Sequence, residues 1–360
     1  MFTACDGEQA AETLAPESRI LPTQWYEQVV QSELVAAPTA TATAAPVAGA
    51  PPSAGTGQGM VQPRLLSGLL GPAVCRANCD ACPTHGLTVL VGYDAWRGVS
   101  SDSWENNGIH TGLNYGTRLG EVSELTGIGF QVGASIGVYD WSGSDYRPVN
   151  NLAETQGFLT YGFFRKQNAN SNWSAALVQD WMFNNNFGVF SQSPTMSQWR
   201  GQIGYATSAW NEFGVWGAWR MTTATSDVAG VGPTSWRALN QIDAFWHHKW
   251  QRGGGDTWLY VGAPEAKRLN GDGSLGSYIA TAAATVPLSD CIALYTQVMY
   301  MRPSDHPSPT ASEEDAWNFT IGLSYYVRHN ARSNTVAGQC WMPQMPLANN
   351  GNFLIDTNHH

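Results

Sequence analysis

Between Gly127 and Trp141 the chain alternates almost without error. Ile128, Phe130, Val132, Ala134, Ile136 and Val138 share one parity, and Gly129, Gln131, Gly133, Ser135 and Gly137 share the other. Successive side chains leave a strand on opposite faces, so this period predicts a β-strand with one apolar face. The pattern recurs in about twelve segments, the spacing expected of strands of roughly 9 to 11 residues plus connections. They start near Leu87, Gly108, Gly127, Glu154, Trp173, Gln198, Glu212, Arg237, Thr257, Ser277, Cys291 and Ala316, and the last ends near Arg328. Connections alternate in length: GEVSELT, NANSN, SAWN, QRGGGD and PLSD are tight, whereas RGVSSDSWENN, SGSDYRPVNNLA, NNNFGVFSQSPTMS, TTATSDVAGVGPTS, KRLNGDGSLG and PSDHPSPTASEEDA are long and polar. Short turns on one rim and long loops on the other predict an all-β, up-and-down antiparallel transmembrane barrel. An even strand number puts both chain ends on the short-turn side.

The second face decides what the apolar face meets. In Ala316 to Val327, Trp317, Phe319, Ile321, Leu323, Tyr325 and Val327 oppose Asn318, Thr320, Gly322 and Ser324. A soluble barrel with this pattern would show water a surface of glycine, serine and asparagine, which leaves strand backbones open to aggregation. The apolar face is therefore expected to meet lipid. On this reading Val132→Arg should cost about 2 to 4 kcal/mol at the bilayer midplane, and Gln131→Arg should be tolerated in a wet lumen. Phe158 and Phe164 fall on the opposite parity to Leu159, Tyr161 and Phe163, and Trp216 shares a parity with Arg220. Aromatics on both parities predict a narrow or occluded channel.

Composition agrees. Charged residues are 13% of the chain, while Gly (38), Trp (16) and Tyr (13) are abundant. Soluble proteins carry about 25% charged residues. No apolar run is long enough for a transmembrane helix, so a membrane location requires a closed barrel. The net charge of −10 argues against nucleic acid as a partner. An outer-membrane protein is expected to carry a secretory signal, yet Met1 to Arg19 shows no basic n-region and no apolar h-region. MFTAC loosely resembles the end of a lipoprotein signal with Cys5 acylated. Residues 1–85 read as a largely disordered N-terminal arm: PTQWYEQVVQSELVAA suits one short amphipathic helix, followed by an Ala/Pro/Thr/Gly linker. Residues 86–329 read as the barrel and 330–360 as a C-terminal tail.

Charged and amide side chains on the small-residue parity are the candidate channel lining: Asp94, His110, Arg118, Gln131, Asp180, Arg200, Gln202, Arg220, Asp243, His247, Lys249 and Gln297. The competing reading is that they pair with each other and brace the wall. Trp96, Trp104, Trp141, Trp173, Trp199, Trp210, Trp236, Trp250, Trp258 and Trp317 fall near predicted strand ends, as interfacial girdles do. Sugar-stacking platforms are the rival assignment.

Cys75, Cys79 and Cys82 in CRANCDACP precede the first strand, Cys291 opens the eleventh, and Cys340 follows the last. Their common rim in an oxidising compartment predicts disulfides stapling the pre-barrel segment and tail, with connectivity open. An iron–sulfur site lacks the βα barrel it would need, and a structural zinc site is the remaining alternative. NGDGSLG lacks the closing glutamate of a calcium loop. No nucleophile elbow, zinc-protease helix or phosphate loop is present, and no cofactor or metal is predicted.

In VGYDAWRGVS, QDWMFNNNFGVF, RGQIGYA and NEFGVWGAW the sequence resembles a family of uncharacterised porin-like outer-membrane barrels from planctomycete-type bacteria, over roughly Leu87 to Arg328. The resemblance implies an outer-membrane barrel and carries over no catalytic residue. The aromatic that usually ends such proteins is replaced by YYVRHN and a tail. The expected molecule is a monomeric channel for small polar solutes, or a structural membrane protein, seated in outer-membrane lipid with both termini periplasmic. The arm is then free for periplasmic or cell-wall contact. The alternatives are a secreted soluble protein that binds glycans through Trp, separated by detergent dependence, and an outer-membrane hydrolase.

Overall fold

The computed structural model describes residues 84–98, 106–141, 154–168, 171–188, 190–228, 230–265, 276–302, 316–333 and 335–358. Most of the predicted arm, with Cys5, Cys75, Cys79 and Cys82, lies outside them. So do Trp104, the side chain of Trp141 and most of NGDGSLG.

Twelve strands close into one barrel. In chain order they are β1 (His85–Arg97), β2 (Asn106–Arg118), β3 (Ile128–Trp141), β4 (Thr155–Arg165), β5 (Trp173–Asn185), β6 (Thr195–Ala206) and β7 (Asn211–Arg220). After an excursion come β10 (Gln241–Lys249), β11 (Asp256–Pro264), β12 (Tyr278–Pro287), β13 (Ile292–Arg302) and β14 (Ala316–Val327). Each pairs antiparallel with its neighbour, and β14 closes on β1 from Leu87↔Val327 to Arg97↔Trp317. The excursion is a hairpin of β8 (Thr223–Val228) and β9 (Gly232–Ala238) that joins a separate three-stranded sheet with β15 (Ile355–Thr357). This corrects the expected eighth strand: the barrel resumes at Gln241, and the residues before it belong to the hairpin. In the second connection a one-turn helix, α1 (Glu121–Thr126), ends on Gly127 in the left-handed region at φ 72, whose N–H bonds the Ser123 carbonyl. Only glycine adopts that conformation freely.

Period-two alternation translates directly into inside and outside. On β3 the Gln131 parity points inward and Gln131 is fully buried, whereas Ile136 on the other face is 58% exposed. Ile109, Leu113, Val138, Ile203, Val215, Ile242 and Val261 likewise stand exposed on the outer surface. Asn114, Gln156, Thr160, Gln198, Glu212, Asn318 and Thr320 are buried within. The exterior is apolar, and the interior holds these polar side chains together with buried apolar clusters.

The tail does not stay at the short-turn rim, where it was expected. Past β14 it first lies across that mouth: the N–H of Ala331 bonds Asp290 O, that of Val336 bonds Ala209 O, and Lys166 Nζ donates to Gln339 O. It then enters the lumen and ends at the opposite rim, where β15 pairs with β9 (Asp356↔Arg237). Because even strand parity fixes only where β14 ends, it left the tail's later course undetermined.

Candidate functional site

The lumen binds the tail mainly through side chains, because the tail's backbone meets a wall whose own backbone is already paired. Gln131 donates from Nε2 to Met345 O (3.0 Å), and its Oε1 accepts from the N–H groups of Gln344 (3.1 Å) and Met345 (3.0 Å). One amide thereby imitates a strand neighbour. Asn114 adds Nδ2 to Met345 O at 3.1 Å. Arg200 donates from Nη2 to Pro346 O (2.9 Å), Thr160 Oγ1 accepts from the Ala348 N–H (3.1 Å), and Gln198 Nε2 donates to Asn352 O (3.0 Å). Behind them the carboxylate of Asp180 takes Arg200 Nη2 (3.0 Å) and Nε, Thr160 Oγ1 (2.8 Å) and Gln198 Nε2 (3.1 Å). Farther along, Asn349 Nδ2 donates to Gln297 Oε1 at 3.1 Å.

This occupancy explains part of the small-residue face. A Cβ on Gly116 would stand 2.3 Å from the Trp341 carbonyl oxygen, and one on Gly133 would stand 2.4 Å from Leu347 Cδ2. The first contact forces a shift of the tail backbone, and the second displaces the Leu347 side chain. Gly116→Val is therefore expected to unseat the segment without opening the barrel. The check is limited proteolysis of folded protein, in which cleavage within residues 340–350 should appear only in the variant. An equally protected tail would refute the packing.

Towards the long-loop rim apolar side chains take over. Tail residues Ala348, Phe353 and Ile355 pack with Trp96, Phe158, Met182, Met196 and Trp236, and Leu354 packs with Leu239, Ile279, Met299 and Met301. Arg237 of β9 meets Asp356 (2.8 Å) and Glu265 (3.2 Å), and Arg220 forks onto Glu265 through Nη1 and Nη2 (2.5 and 2.9 Å).

A second polar group lies towards the short-turn side. His247 stands between two carboxylates, Nδ1 at 3.1 Å from Glu212 Oε2 and Nε2 at 2.9 Å from Asp256 Oδ1, and stacks on Trp258 at 3.6 Å and 6°. Lys249 Nζ donates to Asp256 Oδ2 (2.7 Å), while Gln167 Nε2 (2.6 Å) and Ser174 Oγ donate to Glu212. Asp94 accepts from Tyr139 Oη (3.1 Å) and Thr320 Oγ1 (2.5 Å) and faces His110 Nδ1 (3.1 Å), whose Nε2 meets Tyr295 Oη (2.8 Å). Just past β4, desolvation lowers the pKa of Lys166 to about 7; Asp256 and Glu212 oppose the shift and Lys249 reinforces it.

The structure brings eleven of the twelve proposed lining residues inside and uses many of them to hold the tail or each other. Arg118 is the exception: half-exposed at the short-turn rim, it pairs with Glu124 of α1 at 3.4 Å. Gln131→Arg is no longer expected to be tolerated, since the amide is committed on both sides. Asp243 is buried with Oδ1 lacking a hydrogen-bond partner among the described residues. Of the proposed interface aromatics, Trp173 and Trp250 stand exposed at the short-turn rim, and Trp199 and Trp317 lie half-buried on the outer face nearer the long-loop rim. Three are corrected. Trp96 is 5% exposed and packs edge-on against Tyr139, Trp236 belongs to β9 and is buried, and Trp258 faces the lumen against His247. Trp219, Tyr205 and Tyr278 are outward aromatics that had not been singled out. Cys291 and Cys340 are disulfide-bonded.

A family sequence model matches residues 87–355, which takes in the barrel and the segment threaded through it. The chain belongs to DUF6666, a family of unknown function. The match reaches beyond the Leu87 to Arg328 span of the resemblance drawn from the sequence and includes nearly the whole tail. No curated protein matches the chain. Similar solved structures include an outer-membrane channel from Pseudomonas putida F1 at 10% identity, covering 70% of this chain and 99% of that one with a TM-score of 0.43. They also include the NanC porin, at 10% identity, 66% and 98% coverage and a TM-score of 0.37. Outer membrane phospholipase A from Escherichia coli matches at 9% identity, 66% and 95% coverage and a TM-score of 0.35.

Proposed function

We propose that this DUF6666 protein is an outer-membrane channel for small polar solutes, held closed by its own C-terminal segment. The observation that carries the reading is the inversion of the barrel. A continuous apolar surface encloses buried glutamines, asparagines and ion pairs, the arrangement that suits lipid outside and water or polypeptide inside. Strands of 9 to 14 residues match the tilted span of a bilayer. The short-turn rim is assigned to the periplasm, with the disulfide-bonded Cys291 and Cys340 placed in an oxidising compartment and Cys75, Cys79 and Cys82 as their candidate partners. The tail then points its end outward. Among the described residues His110, His247, His248 and His329 hydrogen-bond to carboxylates, amides, a tyrosine hydroxyl or a backbone carbonyl, and the His85 ring hydrogen-bonds only the hydroxyl of its exposed neighbour Thr84; none of the five is bonded to a serine, so the His–Ser pair of a hydrolytic triad is missing among them.

Planar-bilayer recording tests the reading. The full chain should be nearly silent, and the double variant Gln131→Leu, Asn114→Leu should show discrete conductance steps. Heat-modifiable gel migration of both proteins establishes that each barrel is folded. A folded variant with a protease-sensitive tail and no conductance would refute the channel and leave a structural barrel.

A further inference from the structure

The tail does not fill the barrel. Beside it a cavity of about 350 Å³ remains, bounded by Trp258, Tyr260, Ala283, Tyr295, Gln202 and the tail's Gln344 among others, and reaching the short-turn mouth at Asn330 and Ala331. Single-ligand pockets span about 300 to 1,000 Å³, so this one suits a molecule with one ring.

Its charges are spoken for. Glu212, Asp256, His247 and Lys249 satisfy one another, Lys166 donates to Gln339 O, and Asp94 is met by Tyr139, Thr320 and His110. An ion entering the cavity would find, among these groups, only Lys166 without a carboxylate partner, and its Nζ is already committed to the Gln339 carbonyl. What is left over is neutral. Gln202 Nε2, a donor, and Asn114 Oδ1, an acceptor, belong to buried side chains and lack hydrogen-bond partners among the described residues, as does the acceptor Gln344 Oε1. Buried polar atoms are seldom left so, and both donor and acceptor capacity lines the one cavity. The aromatic part of its wall is a pair of near-parallel rings. The rings of Trp258 and Tyr260 lie 7° from parallel with centroids 6.1 Å apart, and His247 backs Trp258.

We propose that this cavity binds an uncharged polyhydroxylated ring solute of monosaccharide size, its C–H face on Trp258 and Tyr260 and its hydroxyls on Gln202, Asn114 and Gln344. The inference rests on the channel reading and names the class of solute it would pass. Hydroxyls both donate and accept, which matches the mixed set of free atoms, and the apolar C–H face of a pyranose matches an aromatic wall.

Saturation-transfer NMR on the folded full chain in detergent, with glucose, acetate and tetramethylammonium as probes, tests it. Transfer to glucose is expected, with affinity falling at least fivefold in Gln202→Leu and in Ala283→Phe. The second variant fills the cavity without touching a tail hydrogen bond, and gel migration verifies its fold. Absence of transfer to glucose would mean a cavity holding water, transfer to acetate or tetramethylammonium alone would mean an ion site, and transfer unchanged in both variants would place glucose elsewhere; each overturns the proposal. Conductance without glucose binding defeats this inference alone, and glucose binding without conductance in the tail-release variant defeats the channel reading alone.

Discussion

Asp180→Ala is expected to cost about 3 to 5 kcal/mol, the penalty for leaving one partner of a buried ion pair uncompensated. The carboxylate is fully buried and gathers Arg200, Thr160 and Gln198, three side chains that in turn hold Pro346, Ala348 and Asn352 of the tail. Its removal strands the Arg200 guanidinium, whose Nη1 already lacks a hydrogen-bond partner among the described residues. Denaturant unfolding in lipid vesicles, followed by tryptophan fluorescence, measures the loss. A cost below about 1 kcal/mol, the range of solvent-screened pairs, would mean that water reaches the site and that the pair does not anchor the plug. The effect should also be local to the interior, so tail proteolysis ought to accelerate before the barrel itself unfolds.

Ile136→Arg is expected to destabilise the folded state by about 2 to 4 kcal/mol, as a cation on the lipid face does near the bilayer midplane. Ile136 sits nearer mid-height of β3 than Val132 and is far more open, whereas Val132 is flanked by Tyr115 and Tyr161 on the neighbouring strands. The same vesicle assay gives the magnitude, and the tail should stay protected because the inner face is untouched. Gln131→Arg, five residues away and on the opposite parity, should do the reverse: barrel stability falls less and the tail becomes cleavable. If the two variants behave alike, the assignment of faces is wrong.

The barrel was legible because its signals are local. Each strand start from Leu87 to Ala316 follows from alternation and a turn, except near Arg237, where a short Thr/Ser/Ala hairpin has too weak an alternation to separate it from a loop. The inward set was legible too, since parity alone carries Asp94, His110, Asp180, Arg200 and Lys249 to one side. Trp96 and Trp258 were misplaced by giving strand-end position more weight than parity. Trp96 lies two residues from Asp94, and Trp258 two from Asp256, so each had to share its neighbour's face. The plug was harder. Its hydrogen bonds pair Gln131 and Asn114 with Met345, and no periodic pattern announces a segment whose backbone is bound by side chains. One signal was present: Met342, Met345, Leu347, Phe353, Leu354 and Ile355 make a tail too apolar to remain in water. A second lay in inner-face glycines such as Gly116 and Gly133, which leave room that the tail fills, whereas Gly92, Gly108 and Gly204 make way for side chains of the wall itself.

The threaded tail also sets an order of events. Hairpin contacts along the wall join residues close in sequence, but the bonds from Gln131 and Asn114 to Met345 span 214 and 231 residues. The pairs that close β14 on β1, from Leu87↔Val327, span as much of the chain, so the order follows from enclosure and not from separation: the tail has a lumen to occupy only once the wall around it has closed. The barrel therefore passes through a hollow stage before its interior is occupied. During that interval the buried amides and the Asp180–Arg200 pair face water, so a slow final phase, in which solvent leaves the lumen as the tail settles, belongs to the maturation of this protein.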